Sequence, residues 1–487
     1  MFSHFVKSAL PRCEFTFTYT AWQHTRGWCG ASTNLDQART LLQLIVDRGF
    51  ISPGHANVEL FKRGTTCSYG PLGSELRENV LHQWWRSMTG SRQQVFEINT
   101  PSSSGSPDIV AGRWGHLRIV EPDDVRNVLN ETELSREQLV HSVRMFLQRS
   151  PLLRTNLIQG ALEQFVPLFE LVNRKLPFGI AETGRCFQPS QDGSAGEGSS
   201  INTHSICVFP EGQTCQTLNG ECLAPVYTEK TEVTHGSLVW FCSPRTSSQW
   251  LDHWARQRLK WWRKFALVPS DFSSSDVSQD ELEEVASRGV KIYYKFPWGQ
   301  EALEVLSSRG DCELLQMHKG VRSKFQSRDG QKSVAHIVSI TGNIDRGLLA
   351  FLSNSLQLHN REDIKQKLHQ RKVLKLHPLL APVKVALGIG RGATMELRQV
   401  CEGLWQELKE AKISAWPGYL ETSPVPMEQL NSKYDEMGVL FTAVISENTL
   451  ESGLLQVRSR DTTIKETMHI SELNNFLSRY ISAADNM

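Results

Sequence analysis

The spacing of hydrophobic and polar residues predicts which parts of this chain are helical and which alternate between strand and helix. After Pro71, apolar residues recur every four positions, which predicts a helix with one broad buried face. Within residues 361–487, short apolar runs alternate with amphipathic stretches. That alternation predicts an α/β layer domain with a largely parallel sheet, ending in one long helix over residues 462–481.

Residues 121–175 carry two successive amphipathic patterns and are predicted to be wholly helical. The first helix begins with a capping box at Ser135 and Gln138, and the second is predicted to start at about Leu153. Two helices joined by a short turn cannot bury both apolar faces on each other, so we expect a second copy of the chain to complete a four-helix bundle. The alternative is that the helix pair docks on its own domain. The apolar positions of the expected dimer interface are Leu139, Val143, Phe146, Leu162 and Phe165.

Two segments lack hydrophobic periodicity. Residues 188–235 are rich in glycine, serine and threonine, which predicts a flexible insertion within the surrounding domain. Residues 1–34 have the composition of a mitochondrial transit peptide, and a disordered leader is the alternative. The charged residues of this leader are Lys7, Arg12 and Arg26 against Glu14 alone.

Residues 250–265 interleave tryptophans with arginines and lysines. Aromatic and basic residues together can indicate nucleic-acid binding. Here the aromatic residues recur at helical spacing, which favours a core helix with its basic residues on a solvated face. Contact of that face with DNA or with an acidic partner is the alternative. The basic residues are Arg256, Arg258, Lys260, Arg263 and Lys264.

Composition bounds these predictions without choosing among them. A chain of 487 residues, 39% of them hydrophobic, is long enough for two or three domains with ordinary cores. No apolar run approaches the roughly 20 residues needed to span a bilayer. The net charge of +1 does not indicate a nucleic-acid binder, so any such contact must come from local basic clusters. Ten cysteines without a Cys-x-x-Cys pair predict neither a zinc site nor a disulfide framework, and no metal is expected.

Four short segments together resemble a known family. They are residues 69–73 (YGPLG), 176–181 (LPFGIA), 433–438 (KYDEMG) and 458–461 (RSRD). From residue 69 onward the chain resembles class II aminoacyl-tRNA synthetases of the glycyl type. The resemblance implies an α+β fold with a synthetase-like core and an antiparallel sheet. The implied divisions are the core (35–120 and 176–360), a helical dimerisation insert (121–175) and an anticodon-binding-like α/β domain (361–487).

The residues that hold ATP in that family are replaced in this chain. Where the family places an arginine and, two residues on, a glutamate, residues 188–190 read QPS. The second nucleotide element should read glycine, any residue, glycine, arginine, but residues 343–346 read NIDR, and only Arg346 remains. Asn343 and Asp345 add bulk, and Asp345 adds negative charge, where phosphates need close backbone N–H donors. We therefore expect no aminoacylation, no catalytic residues and no cofactor.

A synthetase frame with a replaced nucleotide site and a transit-peptide leader resembles the accessory subunits of mitochondrial DNA polymerase gamma. That resemblance implies a non-catalytic homodimer in the mitochondrial matrix nucleoid that binds the catalytic subunit and primer-template DNA and raises processivity. It also implies that the C-terminal domain contacts the catalytic subunit. Its candidate contacts are Gly453, Leu454, Leu455 and Arg458, with a buried strand as the alternative. The rival functions are an active glycyl-type synthetase and a catalytically inactive RNA-binding relative.

Two basic clusters are candidate DNA contacts, because lysine and arginine neutralise phosphates without reading base sequence. The larger cluster joins the core to the C-terminal domain, where a charged linker is the alternative. The smaller cluster surrounds an Asp-Gly turn. The candidate residues are Lys365, Lys367, Arg371, Lys372 and Lys375 in the first, and Lys324, Arg328 and Lys332 in the second.

Overall fold

The fold is seen in a computed structural model of the chain. It describes residues 31–52, 68–90, 94–104, 117–119, 123, 126, 135–188, 205–206, 231–319, 325–327, 333–362, 368–392, 394–421 and 426–485. The helices are α1 (Ala31–Asp47), α2 (Pro71–Thr89), α3 (Arg136–Arg149), α4 (Ile158–Glu163), α5 (Phe165–Leu171), α6 (Ser247–Lys264), α7 (Cys312–His318), α8 (Ile344–Ser355), α9 (Thr394–Glu410), α10 (Met427–Glu436), α11 (Glu447–Ser452) and α12 (Leu473–Asp485).

The strands of the first half are β1 (Val95–Glu97), β2 (Ser103–Ser104), β3 (Leu117–Arg118), β4 (Leu152–Leu153), β5 (Phe178–Gln188), β6 (Ser205–Ile206), β7 (Thr231–Cys242), β8 (Phe272–Asp276) and β9 (Arg288–Phe296). Those of the second half are β10 (Gly299–Gly310), β11 (His336–Asn343), β12 (Leu356–Glu362), β13 (Leu368–Leu374), β14 (Val385–Ile389), β15 (Ala415–Trp416), β16 (Phe441–Ile445), β17 (Leu454–Ser459) and β18 (Lys465–His469).

A seven-stranded sheet in the order β1-β5-β7-β11-β10-β9-β8 forms the centre of the core domain. Only β1 and β5 pair in parallel, and the other neighbours are antiparallel. Along β7, Leu238 and Trp240 belong to one hydrophobic cluster while Val239 and Phe241 belong to another. Because alternate residues of a strand point to opposite faces, the sheet is covered on both sides. The predicted α+β fold with an antiparallel core sheet is confirmed.

Helix α2 buries the face that its four-residue repeat predicts. Leu76, Val80, Trp84 and Met88 are completely buried, and α8 packs beside the helix. The glycine at position 73 allows a close approach, because a Cβ atom there would lie 1.9 Å from the carbonyl oxygen of Phe50. The start of α2 is therefore locked against the chain that follows α1.

The segment predicted to be wholly helical, 121–175, is interrupted by a strand. Helix α3 has the predicted capping box at Ser135 and Gln138. The next element is β4, which joins a small sheet with β2 and β3, so the second helix starts at Ile158 rather than at Leu153. The strand is short and its leucines also fit a helical pattern, so periodicity alone did not separate the two.

The segment predicted to be a flexible insertion, 188–235, is shorter at both ends. Gln188 ends β5, and residues 231–235 belong to β7, which pairs with β5 along its whole length. Ser205–Ile206 form β6, which pairs in parallel with β3. The remaining residues of the segment lie outside the described ones.

The C-terminal domain has a mixed sheet in the order β15-β14-β16-β17-β18. The first three strands are parallel, as predicted, while β17 and β18 add to the edge as antiparallel strands. The predicted helix over residues 462–481 is wrong in its first half. Residues 465–469 form β18, which is exposed at four of its five positions, and α12 begins only at Leu473.

The C-terminal domain packs firmly on the core domain. One continuous hydrophobic cluster contains Leu76 and Trp84 of α2 together with Leu387 of β14. Polar contacts add to it at two separate places. Arg48 at the end of α1 forms an ion pair with Glu436 of α10. At the other end of the sequence, Asp485 of α12 accepts hydrogen bonds from Arg86 and Lys264 of the core domain.

No helix among the described residues is long and apolar enough to cross a membrane.

Candidate functional site

The second nucleotide element of the synthetases corresponds to the start of α8, where Asn343 acts as a helix cap. Its side-chain oxygen accepts a hydrogen bond from the backbone N–H of Arg346 at 2.8 Å. In the synthetases a glycine leaves this position open for a ligand. Here the asparagine side chain already satisfies a backbone donor at the helix N-terminus, which is where an anion would otherwise bind.

Asp345 is directed into the protein rather than into a ligand site. Its carboxylate is 1% exposed and accepts hydrogen bonds from the backbone N–H of Thr234 and from the hydroxyl of Tyr69, both at 2.6 Å. The Nε atom of Arg77 lies 3.9 Å away. Asp345 therefore links α8 to β7 and to the start of α2 as a structural group.

A cavity of about 330 Å³ remains beside Asn343 and Arg346, and its other polar groups are neutral or already paired. Arg346 donates to the carbonyl of Ala302 at 2.9 Å. Arg309 is held by Glu283 and Glu313. Burial lowers the pKa of His235 to about 4, so this ring is uncharged at neutral pH. Apart from Arg346, whose hydrogen bond to a carbonyl does not neutralise it, the described lining of the cavity thus offers little free positive charge to a triphosphate.

The expected dimer residues fall into two groups. Leu139 is exposed on α3, and Val143 and Phe146 on the same helix are half-buried. In contrast, Leu162 and Phe165 are completely buried in the protomer's own core. Their surroundings include Phe169, Phe178, Phe241 and Phe325. Leu162 and Phe165 therefore match the alternative of docking on their own domain. Of the expected dimer residues, those on α3 are the ones that stay exposed or half-buried.

Most of the predicted DNA contacts lie outside the described residues, namely Lys324, Arg328, Lys332, Lys365 and Lys367. The three others lie on or just after β13. Strands β12 and β13 form a separate two-stranded antiparallel hairpin that joins the two domains. Lys372 and Lys375 are half-buried there.

Arg371, a predicted DNA contact, forms an ion pair with the same acid as Arg458, a predicted polymerase contact. Its guanidinium contacts the carboxylate of Asp435 at 2.5 Å. Arg458 donates two hydrogen bonds to the same carboxylate, at 2.9 and 3.0 Å. Asp435 is 1% exposed. Residues assigned to two different partners thus meet on one buried acid, and Arg371 is not available as a free phosphate contact.

Asp435 was not singled out from the sequence, although a signal was present. It lies within the motif of residues 433–438 and directly follows Tyr434, which is buried in the domain core. An acid next to the apolar stripe of an amphipathic helix is buried only when it is paired. The two arginines that pair with it come from β13 and β17, far away in sequence, so spacing could not identify them.

The predicted polymerase contacts alternate between surface and core. Leu454 is 42% exposed, whereas Leu455 and Arg458 are buried, at 1% and 9%. Gly453 has φ 72° and caps α11, and a Cβ atom there would lie 2.3 Å from the ring of His469. Leu455 and Arg458 therefore match the alternative of a buried strand. Of the leucines, only Leu454 presents its side chain to a partner.

The tryptophan-rich segment is a core helix, as favoured. In α6, Trp254, Trp261 and Trp262 are buried. Arg258 is an exception to its predicted solvated face, because it is 1% exposed and forms an ion pair with Glu304 at 2.9 Å. Among the residues that the structure describes, no group of three or more His, Cys, Asp or Glu could hold a metal ion.

The core sheet, the altered start of α8 and the C-terminal mixed sheet define a synthetase-like protein that lacks the nucleotide-holding pattern. Comparison with known proteins agrees with this class. A family model described as "Anticodon binding domain" matches residues 382–480. A glycine–tRNA ligase from Mycolicibacterium paratuberculosis is 24% identical, over 90% of this chain and 96% of the ligase.

Other relatives are considerably more similar. DNA polymerase subunit gamma-2 from Mus musculus is 47% identical, over 92% of this chain and 91% of the mouse protein. The protein named DNA polymerase subunit gamma-2, mitochondrial, from Xenopus laevis is 43% identical, over 96% of this chain and 93% of its own length. The chain belongs to this family of DNA polymerase gamma accessory subunits, and its role is non-enzymatic.

Proposed function

We propose that this chain is a non-catalytic processivity subunit of the mitochondrial DNA polymerase. It acts as a homodimer in the matrix nucleoid and binds both the catalytic subunit and primer-template DNA. The observation that carries this proposal is the similarity to subunit gamma-2 proteins along nine-tenths of the chain. The inward-facing Asp345 and the capping Asn343 support it, because they occupy an element that a synthetase uses for ATP.

Homodimer formation is supported by the exposed apolar side chains of α3. Besides Leu139, the same helix exposes Val140 by 51% and Met145 by 37%. Three exposed large apolar side chains on one helix of 14 residues favour a protein partner over solvent. A second copy of the chain is the partner proposed, because a two-fold axis lets one apolar helix cover its own symmetry mate.

The β12–β13 hairpin is the proposed DNA contact. Its second strand and the residue after it carry Lys372 and Lys375, for which the structure gives no ion pair among the described residues. Lys365 and Lys367 belong to the connection between the strands, outside the described residues. A basic hairpin binds the phosphate backbone without base specificity, which suits a subunit that travels with a polymerase.

The proposed contact with the catalytic subunit lies at the α11–β17 corner of the C-terminal domain. Leu450 and Leu454 are exposed there, by 37% and 42%. Leu455, Arg458 and Asp435 lie behind this corner and hold β17 in place. A contact with the catalytic subunit and a separate contact with DNA would together slow dissociation of the complex, so that more nucleotides are joined per encounter.

The proposed function is tested by adding the full chain to the catalytic subunit on primed single-stranded DNA and measuring product length. We expect longer products with the wild-type chain, and a loss of most of this increase with Lys372→Gln/Lys375→Gln at moderate salt. The matched control is Lys295→Gln/Arg245→Gln, which removes two exposed charges elsewhere on the surface.

Unchanged product length with the wild-type chain would refute the proposal. Robust ATP–pyrophosphate exchange with glycine would instead favour an active synthetase. Tighter binding to transfer RNA than to primer-template DNA would favour the RNA-binding alternative.

A further inference from the structure

A second basic surface lies along α6 of the core domain. A groove of about 460 Å³ runs along α6. Its lining includes Trp254, Arg258, Lys260, Trp261, Arg263 and Lys264. Among the described residues that line the groove, four are basic and none is acidic. A groove of this size and lining is suited to an anionic ligand.

Beneath the groove lies a layer of hydrogen-bond donors. Arg258 is held by Glu304, and its guanidinium stacks over the ring of Trp261 at 4.4 Å. Nevertheless, Arg258 Nη2 and Trp254 Nε1 are buried atoms without a hydrogen-bond partner among the described residues. Both atoms are donors, and buried donors without partners are costly. Because Glu304 balances the charge of Arg258, these donors favour a ligand with oxygen acceptors rather than a cation.

The rim of the groove supplies the net positive charge. Arg263 donates to the carbonyl of Phe272, which fixes its position but leaves its charge uncompensated. Lys264 is paired with Asp485. Lys260 is exposed, and no ion pair or hydrogen bond of its side chain occurs among the described residues. Lys260 and Arg263 are therefore the charges available to a ligand.

Exposed cations continue along the same helix. Arg256, Lys260 and Arg263 are all exposed, at helical spacings of four and three residues. At about 1.5 Å of rise per residue they extend over roughly 10 Å. A nucleic-acid strand carries one phosphate per about 3.4 Å in a duplex, so about three phosphates pass along that distance.

We propose that this groove binds phosphate groups, supplied by a free nucleotide or by a nucleic-acid strand. The phosphate lies against Lys260 and Arg263 on the rim, above Trp254 and Arg258. The proposal goes beyond the processivity function, because it concerns a different surface from the hairpin. It also does not depend on the cavity beside Asn343, which is lined by other residues.

The test is isothermal titration calorimetry on the intact wild-type chain and on Lys260→Gln, with three probes. The probes are inorganic phosphate, dATP and a short single-stranded oligodeoxythymidylate. We expect at least one probe to bind, and its affinity to fall about tenfold in the variant, since a hydrogen bond to a charged group is lost. Stronger binding of dATP identifies a free nucleotide as the source, and stronger binding of the oligonucleotide identifies a strand.

Two controls keep the test independent of folding and of the proposed processivity function. Lys295→Gln removes an exposed lysine on β9 and should bind like the wild type. Lys372→Gln/Lys375→Gln changes the hairpin and should leave the binding of inorganic phosphate and dATP intact, while oligonucleotide binding also reports on the hairpin. The proposal is overturned if none of the three probes binds, if Lys260→Gln binds as tightly as the wild type, or if only the hairpin variant loses binding. In that last case the proposal that the hairpin binds DNA would be supported, and the proposal that the groove binds phosphate would be refuted.

Discussion

The carboxylate of Asp435 connects three elements of the C-terminal half through ion pairs. It lies on α10, and its two arginine partners come from β13 and β17. A buried carboxylate shared by two guanidiniums is stable only while all three groups stay in place, because each charge has lost its hydration. The position of the β12–β13 hairpin and the position of β17 therefore depend on one side chain.

Replacing Asp435 with asparagine should destabilise the protein strongly. The change leaves Arg458 buried without its counter-charge and weakens the hold on Arg371, a loss of about 3–5 kcal/mol for a broken buried pair. Urea unfolding followed by circular dichroism measures this loss. Glu428→Gln is the control, because Glu428 is exposed on the same helix, and it should change the free energy of unfolding by less than about 0.5 kcal/mol. Equal unfolding midpoints for Asp435→Asn and the wild type would contradict the role given to this carboxylate.

Single residues also show where sequence reasoning reaches its limit. The period-two alternation of β17 is enough to separate Leu454 from Leu455 once the strand is known. Leu162 and Phe165 could not be assigned in that way. An apolar stripe on a helix has the same spacing whether it covers its own domain or a second copy, so only the packed structure distinguishes the two.

Helix α3 is only partly covered within one protomer. Its capping box gives it a defined start, and its last turn ends at Ser150. Nevertheless, Leu139, Val140 and Met145 remain exposed. A helix that is capped but uncovered fits a role in association rather than in the core of its own domain.

If the chain forms the proposed homodimer through α3, Leu139→Glu should make it monomeric without unfolding the protomer. A charge at the centre of an apolar contact is desolvated without a partner when two copies meet, which opposes association. Analytical ultracentrifugation measures the dimer dissociation constant. Lys295→Glu places a negative charge at an exposed position on β9 instead of on α3, and it should leave the dimer intact.

Leu162→Ala tests whether the buried group of predicted dimer residues stabilises the protomer and does not mediate association. Because Leu162 is fully buried in its own protomer, this change should lower the free energy of unfolding by about 2–5 kcal/mol. A dimer that survives Leu139→Glu would show that α3 is not the association surface.

The sequence predicted the long amphipathic helices correctly. It did not predict short strands or a strand that is exposed to solvent on both faces. Helices α2 and α6 carry four or more turns of consistent periodicity, and both lie where the sequence predicts them. Strand β18 reads KETMH and forms the outer edge of its sheet, so its solvent-exposed residues lack an alternating apolar face. Its pairing with β17 comes from backbone hydrogen bonds, which leave no trace in side-chain hydrophobicity.

At the scale of the whole molecule, the two domains share one hydrophobic cluster, and two histidines are withdrawn from solvent, His235 fully and His377 in part. His235 is buried on β7 in the core domain, and His377 lies at the junction between the domains. Burial lowers the pKa of each ring to about 4. Lys264, Lys384 and Arg460 act in the same direction on His377, while Asp485 opposes them.

The stability of the protein should fall as the pH is lowered from about 6.5 towards 4. In that window the unfolded chain binds protons at both histidines, whose ordinary pKa is about 6.5, and the folded chain does not. The contribution of each histidine to the free energy of unfolding is present above about pH 6.5. By roughly pH 5.5 about 1.4 kcal/mol of it has been lost for each histidine. Urea unfolding at several pH values measures this slope. His377→Gln should show a shallower slope than both the wild type and the exposed control His359→Gln, and an unchanged slope would rule out His377 as a source.

The anchoring of Asp485 has a mechanical consequence. The chain enters the C-terminal domain beside the core, and the end of α12 returns to Arg86 on α2 and to Lys264 on α6. The domain is therefore fastened at more than one point and cannot swivel about a single hinge. If a partner pulls on the α11–β17 corner while it moves along DNA, the force would be transmitted directly to the core sheet and its helices. The two domains would then move together as one rigid body, and the C-terminal domain would not move independently of the core.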